Sequence, residues 1–351
     1  MKRYLLFVIA IVQYVHLFAQ EKKDYHGLVV AFYNLENLYD TIKHPKDFDD
    51  EFTPSGVRKY NSKIYYDKLT KLSGVIASLG SFHQIPGPAL LGVAEIENES
   101  VLVDLVQQPA LKHLQLGIVH YDSRDRRGID VGLLYQTKLF RPIQSKPLPV
   151  VIPGRNSFIT RDILWVEGML LGELVHIYVC HWPSRRGGEK RSASGRMAAA
   201  QVVKQHLNSL QEQGPVKAIV MGDLNDDPVS KSIVVGLGAK EDAAKLRQDD
   251  LYNPWYAMFK KGLGTLAHQD RWGLFDQILI TGNFLQKNPG TWFYGGCFVH
   301  NSLEIIENQG KYKGYPRRTW DGVHYRGGYS DHFPVYILLL QEKKSAKAGR
   351  N

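Results

Sequence analysis

The chain has 351 residues, 44% of them hydrophobic and 23% charged, with a formal net charge of +9. This is ordinary globular composition with ample length for a large core. Two cysteines, Cys180 and Cys297, exclude a disulfide scaffold. Both flank apolar segments and read as two buried free thiols rather than one bridge, although an exported location permits a bridge.

The N-terminus reads as a signal peptide. MKR supplies a short positive region, YLLFVIAIV an apolar one, and LFAQ precedes the charged EKKD. Cleavage is expected near Ala19 or Gln20, giving a leader over 1–20 and an exported protein, periplasmic or secreted. No later segment reaches the roughly 18 apolar residues of a membrane span. Net positive charge suits an anionic partner such as nucleic acid or phosphorylated lipid.

GLVVAFYN (27–34) reads as a strand and the polar stretch 40–61 as a loop. Tyr65, Leu69, Leu72, Ile76 and Leu79 recur at helical spacing, with Gly80 as a stop. Residues 88–98 and 128–136 read as strands. Residues 163–182 read as a hairpin turning near Leu171–Glu173. Ser194 is the expected cap of a helix over Met197, Ala200, Val203, Leu207 and Leu210, closed by Gly214. KAIVMGD, 274–281 and 333–341 complete the expected strands. Runs such as VVAF, AIVM and YILLL suggest strands covered on both faces. The fold class is α/β, a layered sandwich forming one domain over 27–342, followed by a short basic tail over 343–351.

The stretch VMGDLNDDP (220–228) runs a buried strand straight into negative charge. A turn accounts for Asp226, Asp227 and Pro228. It does not account for Asp223 and Asn225, which lie two apart and so share one side of an extended chain. The pattern recurs. VVAFYNLEN ends in Asn34 and Glu36, and LLGVAEIEN in Glu95 and Glu97. HIYVCHWPS ends in His181. GLFDQILI carries Asp276 within an apolar strand, where a carboxylate is expensive unless paired. YSDHFPVYILLL opens with Asp331 and His332. Six polar strand ends imply convergence on one pocket.

On the motifs FYNLEN, GVAEIEN, CHWPS, MGDLND, FDQILI and YSDHFPV, in that order over about 27–340, the chain resembles the endonuclease/exonuclease/phosphatase superfamily. That superfamily includes the pancreatic deoxyribonuclease type, the neutral sphingomyelinases and the inositol polyphosphate 5-phosphatases. The resemblance implies a four-layer sandwich of two mixed β-sheets flanked by helices. It also implies divalent-metal-dependent cleavage of phosphoesters.

Carried onto these residues, Glu95 is the main metal ligand, with Glu36 and Asp331 next. A donor set of oxygens without cysteine suits Mg²⁺ or Mn²⁺. Asp223 positions or deprotonates the attacking water, and Asn34 orients Asp223. Asn225 holds a phosphate oxygen. Asp276 and His332 form a carboxylate–imidazole pair, with His332 either base or phosphate stabiliser. His181 contacts the phosphate or assists the leaving group. Glu97, Asp226 and Asp227 read as neighbours or turn residues. Trp182, Arg185 and Arg186 in the loop after His181, and His268 and Arg271 before the Asp276 strand, are candidates for substrate contact. The loop 311–329 interleaves basic and aromatic residues and suits stacking plus phosphate contacts.

The expected function is a low-specificity nuclease, working as a monomer with no stable protein partner. The alternatives are a phosphatase or phospholipase C-like enzyme at a phospholipid surface, for which the apolar run 251–264 would be the membrane hairpin, and a non-catalytic binding module.

Overall fold

The computed structural model describes residues 24–343, apart from 46, 153 and 155–158. The expected leader (1–20) and all but Lys343 of the expected tail lie outside the described residues.

The strands in chain order are β1 (Tyr25–Leu38), β2 (Leu90–Ile96), β3 (Leu116–His120), β4 (Asp130–Gln136), β5 (Phe140–Leu148), β6 (Ile163–Leu170), β7 (Glu173–His181) and β8 (Ala218–Asp223). Then come β9 (Leu251–Tyr252), β10 (Leu266–His268), β11 (Arg271–Gly273), β12 (Asp276–Thr281), β13 (Phe293–Val299), β14 (Trp320–Asp321), β15 (His324–Tyr325) and β16 (Val335–Glu342). The α-helices are α1 (Ser62–Ser78), α2 (Glu99–Val106), α3 (Glu189–Gln211) and α4 (Tyr256–Lys260).

Two six-stranded sheets form, in the orders β13-β16-β1-β2-β4-β3 and β5-β6-β7-β8-β12-β9. Each is mixed: β1–β2 and β7–β8 are parallel, and the other pairs in the two sheets are antiparallel. The period-two alternation of a strand sorts side chains into layers. Val30 and Phe32 of β1 enter the core between the sheets, with Ile177, Ile219, Met221 and Ile278 of the second sheet. Val29, Ala31 and Tyr33 face the other way, against Leu69, Leu72 and Ile76 of α1 and Leu102 of α2. Tyr178, Cys180 and Val220 on the outer face of the second sheet meet Ala199, Val203 and Leu207 of α3. The result is the expected four-layer sandwich. Its central strands have apolar residues on both faces because both faces are covered.

Local signals place the elements. Asn61 caps α1 by accepting from the Ile64 amide, and Gly80 past its end has φ +93°. The β6–β7 hairpin turns through Leu171 at φ +47° and Gly172 at φ +95°, both in the left-handed region such a tight turn requires. Helix α3 begins at Glu189 after Gly188, not at Ser194, which lies exposed within it. Its first turns carry no apolar stripe. Arg196 holds them by donating to Ser192 Oγ (2.7 Å) and the Glu189 carbonyl (3.2 Å).

The segment 251–264 is not an exposed apolar hairpin. Trp255 is buried in the inter-sheet core and its indole donates to the Ile278 carbonyl at 2.9 Å. Among the described residues, no helix is long and apolar enough to cross a membrane. Cys180 and Cys297 are both free thiols.

Phe32 sits fully buried where the two sheets meet. Phe32→Ala is expected to cost about 3–5 kcal/mol. The measurement is a fall in the urea midpoint at unchanged slope.

Candidate active site

The two sheets are stitched at one end by polar contacts between strand ends. Asn34 on β1 donates from Nδ2 to Asp223 Oδ2 on β8 (3.1 Å). Its Oδ1 accepts the Glu36 amide (2.9 Å), and its carbonyl accepts Ser330 Oγ (2.6 Å). Ser330 Oγ also takes the His332 amide (3.1 Å), fixing the turn before β16. His332 Nδ1 meets Asp276 Oδ2 on β12 at 2.7 Å, and Thr265 Oγ1 donates to the same oxygen at 2.5 Å. His332 Nε2 faces Asp223 Oδ2 at 3.9 Å. His181 Nε2 lies 3.7 Å from Asp223 and 3.8 Å from Glu95 Oε1. Asn34, Glu95, His181, Asp223, Asp276, Asp331 and His332 are thus brought together.

Two bulges aim the acids. Pairing of β1 with β2 shifts register between Asn34 and Leu38, and pairing of β2 with β4 shifts between Ala94 and Ile96. Glu36 (φ +49°) and Glu95 (φ +59°) sit at these irregularities in left-handed backbone, and Asn225 (φ +49°) does the same after β8. Bulges and left-handed non-glycine residues gather where a side chain must be re-aimed. Glu95 Oε2 accepts the Asn37 amide at 3.0 Å. Its Oε1 lies outside hydrogen-bond reach of His181.

The acids expected as metal ligands differ in their commitments. Both oxygens of Glu36 accept backbone amides, from Thr319 (2.6 Å) and Trp320 (3.2 Å). Asp331 is ion-paired with Arg318 (3.1 Å) and lies 4.0 Å from His332 Nε2. Asp223, Asp276 and His332 offer donor atoms all within 4.8 Å of one another, whereas Glu36, Glu95 and Asp331 do not form such a group. Glu36 is drawn toward the 319–320 backbone and Asp331 toward Arg318.

Burial sets the protonation states. It pushes Asp223 up to about 7, with His332 opposing and Asp276 adding to the rise. Burial, then Asp331, pushes Glu36 up to about 7, and the buried Lys68 opposes this. Lys68 itself is pushed down to about 8 by burial, against the pull of Glu36. Its ammonium donates to the Glu36 carbonyl and to Thr319 Oγ1, both at 2.7 Å. His181 is held well below its ordinary value by burial, then by Arg161 and Arg127, and so is neutral. Burial also opposes an imidazolium at His332, but Asp276, then Asp223 and Asp331, hold it well above its ordinary value. One neutral and one charged imidazole therefore flank Asp223.

The rim departs from expectation in two places. Trp182 is only 1% exposed and its ring packs in the core beside α3, so it does not present to substrate. Its carbonyl does the local work, accepting from Asn225 Nδ2 (3.0 Å) and Arg161 Nη2 (2.9 Å). Arg185 is spent internally on the Asn225 carbonyl (2.9 Å), Asp226 (3.1 Å) and Asp227 (3.1 Å). Arg186 is exposed and lines a cleft of about 510 Å³ with Arg126, Arg127 and Arg191. His268 and Arg271 are exposed on the β10–β11 hairpin. The adjacent Trp272, also exposed, stacks at 14° on Phe333, with ring centroids 6.2 Å apart, and meets Tyr315 at 5.7 Å.

Sequence reasoning missed Lys68, Thr265, Arg161 and Trp272. Lys68 had a signal, because it falls on the apolar stripe of α1 between Tyr65 and Leu69, where a lysine needs a buried partner. The other three carried none.

A family model described as "Endonuclease/Exonuclease/phosphatase family" matches residues 29–341. No curated protein matches the sequence significantly. Among solved structures, an endonuclease/exonuclease/phosphatase family protein from Bacteroides thetaiotaomicron is 18% identical, with TM-score 0.53, over 92% of this chain and 100% of that one. A mannosyl-6-phosphatase from the same organism is 18% identical, with TM-score 0.52, over 89% and 99%. D. rerio TDP2, complexed with single-strand DNA product, is 13% identical, with TM-score 0.54, over 89% and 98%. At these identities the likeness is one of fold.

The His332–Asp276 pair gives stability a defined pH dependence in metal-stripped protein. A raised imidazole value stabilises fully below its ordinary value of 6.5, and the contribution is lost as pH rises through the folded-state value. Asp276→Asn is expected to destabilise by about 3–5 kcal/mol at mildly acidic pH. The gap from wild type should narrow at alkaline pH. Urea titrations across the pH range check this, and a gap that stays constant would contradict the assignment.

Proposed function

Because the chain belongs to the endonuclease/exonuclease/phosphatase family, we propose that it is an exported, divalent-metal-dependent nuclease that hydrolyses nucleic-acid phosphodiesters. Members of the family are hydrolytic phosphoesterases and use divalent metals. The nucleic-acid reading is carried by the aromatic ledge of Trp272 and Tyr315 beside Phe333, the residue that follows His332. Such a ledge offers a stacking surface for a base or sugar at the reacting phosphate. Arg271, Arg318 and the arginine-rich cleft beside Arg186 add phosphate contacts. That D. rerio TDP2 is solved with single-strand DNA product fits this reading.

The donor set fits a hard cation at Glu95, whose Oε1 lies 3.8 Å from His181 Nε2, beyond hydrogen-bond reach. Asp331 and the remaining lone pairs of Glu36 are the further ligands in this proposal, with Mg²⁺ or Mn²⁺ as the ion. When bound, the cation neutralises charge on the phosphate. Asp223, held by the Asn34 amide and accepting the Asn225 amide at 3.0 Å, takes a proton from the attacking water. A value of about 7 suits that task. The water oxygen bonds to phosphorus as the bond to the leaving oxygen breaks. His332, kept cationic by Asp276, binds the phosphoryl oxygens and supplies a proton to the leaving oxygen. Neutral His181 holds a further phosphate oxygen.

The phospholipid alternative loses its motive with Trp255 in the core. A binding module has no use for the Asp276–His332–Asp223 arrangement.

The test is supercoiled-plasmid and single-stranded oligonucleotide cleavage by the chain lacking residues 1–20, in Mg²⁺, Mn²⁺ and EDTA, with mannose 6-phosphate alongside. EDTA is expected to abolish cleavage. Glu95→Gln and His332→Ala should each lose at least about a hundredfold in rate. Phosphate release from mannose 6-phosphate without cleavage of either nucleic acid would overturn the nuclease reading.

A further inference from the structure

We infer that Asp40, His44 and Glu97 form a second divalent-cation site, separate from the catalytic cluster and independent of the nuclease reading. Glu97 follows Glu95 by two residues at the end of β2, and the two carboxylates staple the same loop. Glu95 Oε2 accepts the Asn37 amide, and Glu97 Oε2 accepts the Asp40 amide at 2.7 Å. That staple uses one oxygen of Glu97. The other, Oε1, is buried and has no hydrogen-bond partner, although the residue is only 5% exposed. An unpartnered carboxylate oxygen held out of water is costly, and a loop brace does not require it.

The atoms around Glu97 Oε1 have the chemistry of ligands. His44 Nε2 lies 4.0 Å from it and 3.4 Å from Asp40 Oδ2. The three donor atoms lie within 4.8 Å of one another. Two ligands each about 2.1 Å from one ion stand between about 3.0 Å (adjacent) and 4.2 Å (opposite) apart. Both spacings to His44 fall in that interval. Asp40 is itself held in place, its Oδ2 accepting Asn98 Nδ2 at 3.1 Å and its Oδ1 the Ile42 amide at 2.6 Å.

The surroundings favour a cation. His44 and Glu97 line a cavity of about 440 Å³ together with Asp47, Asp122 and Asp130, and no lysine or arginine is among its described lining residues. Lys43, the nearest lysine in sequence, pairs with Asp49 and Asp50 instead. Two carboxylates and one imidazole suit a transition-metal ion such as Zn²⁺ or Mn²⁺, which takes nitrogen as well as oxygen ligands, better than Ca²⁺ or Mg²⁺, which prefer oxygen alone. An ion here would pin Asp40 and His44 to Glu97, just past the strand carrying Glu36.

Calorimetric titration of the metal-stripped full chain with Mn²⁺ and Zn²⁺ tests the site without an activity assay. Glu95→Gln isolates it from the catalytic cluster and is expected to retain one bound ion. In that background, adding Glu97→Gln or His44→Ala should weaken the remaining site at least tenfold. His44 is partly exposed, so its variant keeps the test usable if Glu97→Gln does not fold. Diffraction from crystals grown with Mn²⁺ should place an anomalous peak between the three side chains. Unchanged binding in both double variants, or no peak at that position, would overturn the proposal.

Discussion

Asp276 has no solvent exposure, lies within a sheet, and needs a proton donor to remain there. His332 provides it from the turn that leads into the other sheet, at 2.7 Å. This one contact ties β12 to the turn before β16, and Asn34–Asp223 ties β1 to β8 beside it. Two sheets packed by apolar side chains alone can slide with little penalty, because burial energy is not directional. Buried, charge-assisted hydrogen bonds are directional, and breaking one leaves an unpaired group in a low dielectric. The end of the sandwich that carries the chemistry is therefore also where the relative position of the sheets is set.

The eight inner strands of the two sheets were legible in the sequence, and the four edge strands were not. β1, β2, β4 and β16, with β6, β7, β8 and β12, carry long apolar runs because helices and the opposing sheet cover both faces. The edges lack that signal. β5 carries Pro142 and Pro147 and alternates with solvent, β13 is broken by Gly295 and Gly296, β3 is half-buried along its length, and β9 has two residues. Proline and glycine read as breaks in a strand, and an edge tolerates them because one side needs no partner.

The site divides in the same way. The rhythm of polar residues two apart at strand ends marked Asn34, Glu36, Glu95, Asp223 and Asn225, because an extended chain repeats every second residue. What the rhythm could not reveal is how far each strand remains extended. Bulges at Glu36 and Glu95 turn those carboxylates away from the directions a regular strand would give them. Trp182 shows the converse error. It follows His181 and was placed with it at the substrate, yet adjacent strand residues point to opposite faces, and its ring belongs to the layer beneath α3. Spacing finds a side of the sheet, and only the three-dimensional pairing decides what stands opposite.

Glu36, Glu95 and Asn225 share a backbone conformation that glycine adopts freely and other residues adopt at a cost of order 1–3 kcal/mol each. The chain holds two carboxylates and an amide at these angles. Glycine at any of the three would relax the backbone but strand the groups these side chains hold: the Thr319 and Trp320 amides at Glu36, the Asn37 amide at Glu95 and the Trp182 carbonyl at Asn225. Backbone relief and side-chain satisfaction therefore make opposing demands on the same three φ angles, and at each of them the side chain has prevailed.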